Sequence, residues 1–488
     1  MTTQHNTTYL AGPFDHSWDS LRSFECPTWF RDAKLAFWSH WGPQSVPMYG
    51  DWYARHMYVE GHEQYLHHWR TYGHPSKVGY KDLVQLWKAE RFDPEGLMDL
   101  FVDAGAKYFV GQAMHHDNFD NFDSAHQPWN SVKVGPKKDI CRLWQQAAHA
   151  RGLPFGLTEH LGASFAWWQC NKCADENGPY AGTKYDGANP AYESLYYPSF
   201  GPAATGDDRA KIDPWYTENE WFHRHWFDRI KDVIDKFQPD LLYSDGGLPF
   251  GEYGRRIVAH LYNTSASVHG ANRAVYNQKD KNPDIYTIGV LDIERSQLTE
   301  IAQHPWQTDT SVGDWFYNVK DVYKTPRQVL ETLVDIVSNN GNLVMNITQK
   351  PDGTLDDECT YLLKQLAVWM KSGNGEGVFG SRPWTHSTEG PSKFTQKSHF
   401  DESAVSWTPD DYRFTRNGET VYAYQMTPSP DGTGIIRSLA STKSRRVSSV
   451  RSLEHGPVEF VQTFTGLNFK LPAPPTIDAP IGLAINIE

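Results

Sequence analysis

Apolar positions recur at helical spacing along Trp226, Ile230, Val233, Ile234 and Phe237, and Pro239 then stops the run. Leu241, Leu242 and Tyr243 follow as a short apolar stretch closed by Gly246 and Gly247, which is how a buried parallel strand reads after a helix. This beat of helix, breaker and strand repeats. Asp93 and Pro94 give an N-cap with proline at the first helical position, Leu97, Leu100, Phe101 and Ala104 form one face, and Gly105 closes the helix before a strand from Lys107 to Ala113. Ile140, Leu143, Trp144 and Ala147 mark another helix, stopped by Gly152 ahead of a strand from Pro154 to Thr158. Val329, Leu330, Leu333, Ile336 and Val337 mark a fourth, ended by Asn340 and Gly341 before a strand from Leu343 to Ile347. Lys34 to His40 and Tyr286 to Val290 read as further strands. Repeated βα units predict an α/β fold, a (β/α)8-like barrel of the TIM type, over residues 1–390.

Between about residues 160 and 220 the beat breaks into a long segment rich in Gly, Pro, Tyr and Trp, read as an ordered lid or subsite wall. From 391 to 488 the pattern becomes two-residue alternation. Tyr412 to Arg416 and Glu419 to Gln425 flank Asn417-Gly418, a hairpin signal, and Val458 to Phe464 and Leu467 to Leu471 are further short strands. These predict a C-terminal antiparallel β-sandwich, joined to the barrel through a loop from Pro383 to Ser398.

Composition narrows the class. The net charge of −13 argues against a nucleic-acid or anionic-membrane partner, which needs a basic footprint, and leaves homo-oligomer formation open. No run of about 18 apolar residues suggests a membrane span. The polar start, Met1 to Gly12, lacks the apolar core of a secretory signal, so the expectation is a cytoplasmic chain or one whose signal is removed. Five cysteines cannot all pair, and Cys170 with Cys173 forms a CxxC with no second pair nearby to complete a zinc site, which reads as loop cysteines. With 19 Trp and 25 Tyr, flat faces suited to sugar rings are plentiful, though large cores use them too.

The strand ends carry the chemistry. Asp245 stands where a buried strand opens into a loop, the edge at which parallel barrels place catalytic groups. His40, His115, His116 and Glu294 occupy matching positions. Two chemistries could use such a set. In a metal-dependent hydrolase, the histidines and Asp245 would be ligands, but adjacent side chains on a strand point to opposite faces, so His115 and His116 are poorly spaced for joint ligation. In glycoside hydrolysis by two carboxylates, the histidines would bind hydroxyls spread around a ring. Trp41, Trp52, Tyr53 and Trp315 favour a sugar, and a non-catalytic sugar-binding protein on the same scaffold is a third reading.

An ordered series of motifs resembles the family 29 α-L-fucosidases. It comprises Trp29-Phe30-Arg31-Asp32-Ala33-Lys34, His40-Trp41-Gly42 with Ser45-Val46-Pro47, Ala104-Gly105-Ala106-Lys107-Tyr108, and His115-His116-Asp117-Asn118-Phe119 with Asp123-Ser124. Gly152-Leu153-Pro154-Phe155-Gly156-Leu157, the stretch from Pro239 to Gly246, Asn340-Gly341-Asn342-Leu343 with Asn346, and Gly375-Glu376-Gly377-Val378-Phe379-Gly380 complete it. The resemblance implies a retaining exo-glycosidase without metal or organic cofactor, acting on a fucosylated or related L-sugar glycan. It implies Asp245 as nucleophile, Glu294 as general acid/base, His40, His115 and His116 on ring hydroxyls, and Trp52 beside the C5 substituent. Asp51, Asp292 and Glu300 are rivals for the acid/base role, and a surface ion pair with Arg295 is the bland alternative for Glu294. Three positions depart from the family pattern: Asp51 stands for a Glu, Met114 for a Lys, and Lys279 for an Arg near the glycone. Lys cannot make the bidentate fork of Arg, so the sugar stays open between L-fucose, L-galactose and a sulfated algal glycan.

Overall fold

The computed structural model describes residues 7–200, 211–394, 402, 405–442 and 446–488. Eight parallel strands close into a barrel: β1 (Leu35–Ser39), β2 (Tyr108–Gln112), β3 (Phe155–Glu159), β4 (Leu241–Ser244), β5 (Val275–Gln278), β6 (Val290–Asp292), β7 (Trp306–Ser311) and β8 (Gly341–Asn346). β8 pairs back onto β1, with Leu343 opposite Leu35 and Asn346 opposite Trp38. The helices between strands bury the predicted faces. In Glu220–Phe237, Trp226, Ile230, Val233, Ile234 and Phe237 are buried, and Gln238 ends the helix in the left-handed region just before Pro239. Asp93 caps Pro94–Asp103 by accepting from the Gly96 N–H.

Six barrel strands fall where the periodicity puts them or close by, while β5 and β7 escape it. β6 lies at Val290–Asp292 rather than Tyr286 to Val290, because Asn282 caps a helical turn at Pro283–Tyr286 that takes Tyr286, and 287–289 form the turn and bend that follow it. β7 reads Trp-Gln-Thr-Asp-Thr-Ser yet all six residues are buried. In a barrel, inward side chains of one strand face other strands rather than solvent, so polar groups can be buried there if they pair.

The C-terminal region is a six-stranded antiparallel sheet facing a three-stranded one. Its strands are β9 (Arg382–Glu389), β10 (Tyr412–Asn417), β11 (Thr420–Gln425), β12 (Thr433–Ile436), β13 (Val447–Ser452), β14 (Gly456–Pro457), β15 (Glu459–Thr463), β16 (Gly466–Lys470) and β17 (Ile481–Ile487). The orders are β14-β13-β17-β11-β10-β9 and β12-β16-β15. Phe414, Val421, Ile436, Leu467, Phe469 and Leu483 form the core between them. The segment read as a linking loop from Pro383 is instead strand up to Glu389; its last residues, 395–398, lie outside the described residues. A buried Arg413–Asp335 ion pair and the Trp369 indole N–H on the Pro480 carbonyl (2.7 Å) join this module to the barrel helices.

Candidate active site

Parallel strands point their carboxyl ends the same way, so residues just past each strand meet at one edge of the barrel. His40 follows β1, with its backbone N–H held by Asn346 Oδ1 at the end of β8 (3.0 Å). His115 and His116 follow β2, and His160 follows β3. Asp245 follows β4 and donates its backbone N–H to the Glu159 carbonyl (3.0 Å). Lys279 follows β5, Glu294 lies two residues past β6, and Asp309 sits within β7. The backbone around Glu294 is pinned to β7 on both sides, Ile293 N–H to Gln307 O (2.9 Å) and Arg295 N–H to Asp309 O (2.8 Å). All these side chains line one cavity of about 710 Å³, together with Trp38, Asp51, Trp52, Trp215, Tyr216, Tyr243 and Trp315.

One ammonium organises the acidic side. Lys279 Nζ lies 2.7 Å from Asp245 Oδ1, is hydrogen-bonded to Glu294 Oε2, and stands 4.0 Å from Asp309 Oδ2. Asp245 Oδ2 is 3.2 Å from His116 Nε2, and the Tyr243 hydroxyl donates to Asp309 Oδ2 (3.0 Å) and Asp245 Oδ1 (3.4 Å). Burial alone would raise the Asp245 carboxyl, but Lys279 and the His116 hydrogen bond override it and hold Asp245 well below the usual carboxylate range. Glu294 is pushed the other way, up to about 7, by burial that Lys279 only partly offsets and by the nearby Asp309 and Asp245 charges. At pH 7 Asp245 is therefore ionised while Glu294 is about half protonated, the kind of split by which one site can supply both a nucleophile and an acid.

The opposite wall is imidazole. Burial, followed by repulsion among the rings, holds His40 and His115 well below the ordinary histidine range, and burial takes His160 down to about 3. The His115 ring centroid lies 4.8 Å from those of His40 and His160. Among the described residues, His40, His115 and His160 are the one group of three side chains that could hold a metal, with a ligand nitrogen from each within 4.8 Å of the others.

Most residues singled out from the sequence come together here: His40, Trp52, His115, His116, Asp245, Lys279, Glu294 and Trp315 all line the cavity. Tyr53 does not. It is fully buried at the start of the helical turn Tyr53–His56, with its hydroxyl 2.8 Å from His67 Nδ1, and is absent from the cavity lining. Glu300 is exposed and absent from the cavity lining, and Asp292 is fully buried below it, accepting from Gln307 Nε2 (2.6 Å). Asp51 reaches the cavity, where burial and Asp314 raise its carboxyl well above the ordinary value. Arg295 pairs with Glu402 (3.0 Å) rather than with Glu294, so the bland ion pair is not formed. Cys170 and Cys173 are buried and unbridged, and Cys170 Sγ approaches the Arg55 carbonyl.

His160, Asp309, Trp215 and Tyr216 also line the cavity, and none of them stands out in the sequence reading. His160 carried a usable signal, since it follows β3 as His40 follows β1. Asp309 lies in the polar strand β7. Trp215 and Tyr216 come from the long segment after β3 and line the cavity beside Gly246. Gly246 makes their approach feasible: it adopts φ +97°, and a Cβ there would stand 2.7 Å from the Tyr216 hydroxyl and 3.1 Å from the Trp215 indole nitrogen. Residues 201–210 of that segment lie outside the described ones.

Comparison with known proteins agrees with this architecture. The sequence model of the family described as Alpha-L-fucosidase matches residues 1–376. The chain is 26% identical over 443 residues to the tissue alpha-L-fucosidase of Rattus norvegicus, covering 88% of this chain and 83% of that protein. It is 27% identical over 391 residues to the plasma alpha-L-fucosidase of Homo sapiens, covering 77% and 74%. The same fold appears in the Thermotoga maritima alpha-fucosidase solved with a mechanism-based inhibitor, at TM-score 0.74 and 22% identity over 97% of this chain and all of that one. It recurs in a Bacteroides thetaiotaomicron family 29 α-L-fucosidase solved as a trapped covalent intermediate, at TM-score 0.65 and 15% identity over 99% of both. With the family match spanning the whole barrel, the chain belongs to the α-L-fucosidase family of glycoside hydrolases.

Proposed function

We propose that this protein is a retaining exo-acting α-L-fucosidase-type hydrolase in which Asp245 is the nucleophile and Glu294 the general acid/base. Asp245 attacks the anomeric carbon while Glu294 gives its proton to the departing oxygen. A glycosyl-enzyme ester forms on Asp245. Glu294, now a carboxylate, takes a proton from water, which attacks the same carbon and releases the sugar.

The observation that carries this reading is Lys279 bonded to both carboxylates. Two oxygens on one nitrogen are at most two hydrogen bonds apart, about 6 Å. That supports the short separation of retaining enzymes, roughly 5–5.5 Å, over the roughly 6.5–9.5 Å that inverting enzymes need for an intervening water. The opposed shifts of the two acids support their roles, and the relative described as a trapped covalent intermediate supports the double displacement. His40, His115 and His116 would take ring hydroxyls, with Trp52 and Trp315 as apolar walls and Lys279 as the cation beside the glycone.

The test is release of 4-nitrophenol from its α-L-fucoside. Asp245→Ala is expected to lower kcat by roughly 10⁴-fold, about 5 kcal/mol of transition-state stabilisation. Activity within a few-fold of wild type would remove Asp245 from the nucleophile role. Parallel assays on the aryl α-L-galactoside and on fucosylated oligosaccharides decide the sugar.

A further inference from the structure

Gln44 lies in a one-turn 3₁₀ helix, Pro43–Ser45, just beyond β1 and is fully buried. Its carboxamide has one accepting end and one donating end, and two neighbours decide which faces where. The Ala54 backbone N–H, 3.3 Å from Oε1, can only donate, so the oxygen must face it. The amide nitrogen then stands 2.8 Å from His115 Nδ1. An amide nitrogen can only donate, so Nδ1 must accept and carries no proton.

Burial and the surrounding imidazoles of His116, His160 and His40 keep His115 neutral. A neutral imidazole has one ring proton, and with Nδ1 bare that proton is on Nε2. We infer that Gln44 is a positioning residue that locks His115 in its Nε2–H tautomer, so that the cavity is offered a fixed, uncharged hydrogen-bond donor. This rests on the reading of the cavity as the sugar site. A hydroxyl can both donate and accept. Facing a fixed donor it must accept, which directs its own proton elsewhere and makes the wall discriminate between ring configurations. The same proton occupies the lone pair through which His115 would have to join His40 and His160 around a cation, so the Gln44 lock also favours sugar over metal at this cluster.

Two measurements on the full-length protein test the lock. The ring ¹⁵N spectrum of the wild type, with His115 assigned by its loss in His115→Asn, should show Nε2 protonated and Nδ1 bare at pH 7. The reverse pattern, or an even mixture, overturns the inference without any sugar present, and so separately from the functional reading. Gln44→Glu puts an acceptor opposite Nδ1 and should draw the proton there, leaving Nε2 bare. L-fucose binding by calorimetry is expected to weaken about 10–100-fold at pH 7 and to recover towards pH 5, where protonation of His115 or of the introduced carboxylate restores Nε2–H. A folded Gln44→Glu protein that binds as the wild type does at pH 7, or whose loss is the same at both pH values, overturns it. If wild type binds neither L-fucose nor L-galactose, the functional reading fails instead, while the spectrum still decides the tautomer.

Discussion

The ends of β1 to β3 present His40, His115, His116 and His160 to the cavity, whereas the ends of β4 to β7 present Asp245, Lys279, Glu294 and Asp309. Both walls are withdrawn from water, and burial acts on them to opposite effect. An imidazole can escape the cost of a buried charge by losing its proton, and His40, His115 and His160 do so, becoming neutral donors and acceptors. On the acidic wall a buried ammonium sits among several carboxylates, and neutralising all of them would strand Lys279 unpaired. Its carboxylates, in return, hold Lys279 well above the ordinary lysine value despite burial. The compromise keeps Asp245 charged and lets Glu294 hold a proton. In the proposed reaction the first wall would read hydroxyls, and the second would hold the asymmetry on which a double displacement depends.

That contrast can be attacked most strongly at Glu294. Glu294→Ala should lose about 10²–10⁴-fold in kcat on substrates with poor leaving groups, and added azide should restore turnover of the aryl fucoside. Absence of rescue would move the acid/base role to Asp51, the other raised carboxyl on the cavity.

Next comes Lys279→Met, which should move both limbs of the pH–rate profile. In the wild type, activity should fall as pH rises through about 7, where Glu294 loses its proton, and the acid limb should lie below the ordinary carboxylate range, where Asp245 gains one. The ammonium lowers both carboxyls, so without it both limbs should shift to higher pH. A profile that merely drops in height would show that Lys279 binds sugar without setting the two acids apart.

The smallest effect is expected at Tyr53→Phe. Its hydroxyl meets His67 outside the cavity, so KM and kcat should stay within about threefold while stability falls by roughly 1 kcal/mol. A tenfold rise in KM would return Tyr53 to the sugar site.

Buried parallel strands are continuous apolar runs, which is why β1 to β4 and β8 are legible, and why a charged residue directly after such a run stands out as Asp245 does. Glu294 is legible as a strand-end acid but its acid/base role only through the family resemblance, since its strand is three residues long and preceded by an unforeseen helical turn. β7 is invisible because its pairing partners, among them Ile293 and Asn346, are distant in sequence and convert a polar hexapeptide into core. Trp52 and Tyr53 are adjacent aromatic residues, and only the helical turn that begins at Tyr53 separates wall from core.

By itself the chain determined the barrel class, the strand ends and the identity of the groups waiting there, because local periodicity and turn chemistry act over a few residues. Tertiary structure alone decided that Lys279 bridges Asp245 and Glu294, that His160 completes the imidazole wall, and that Trp215 and Tyr216 close over Gly246. Those are relations between residues tens to hundreds of positions apart. Charge state and hydrogen-bond direction depend on what burial brings within a few ångströms, which no local pattern encodes.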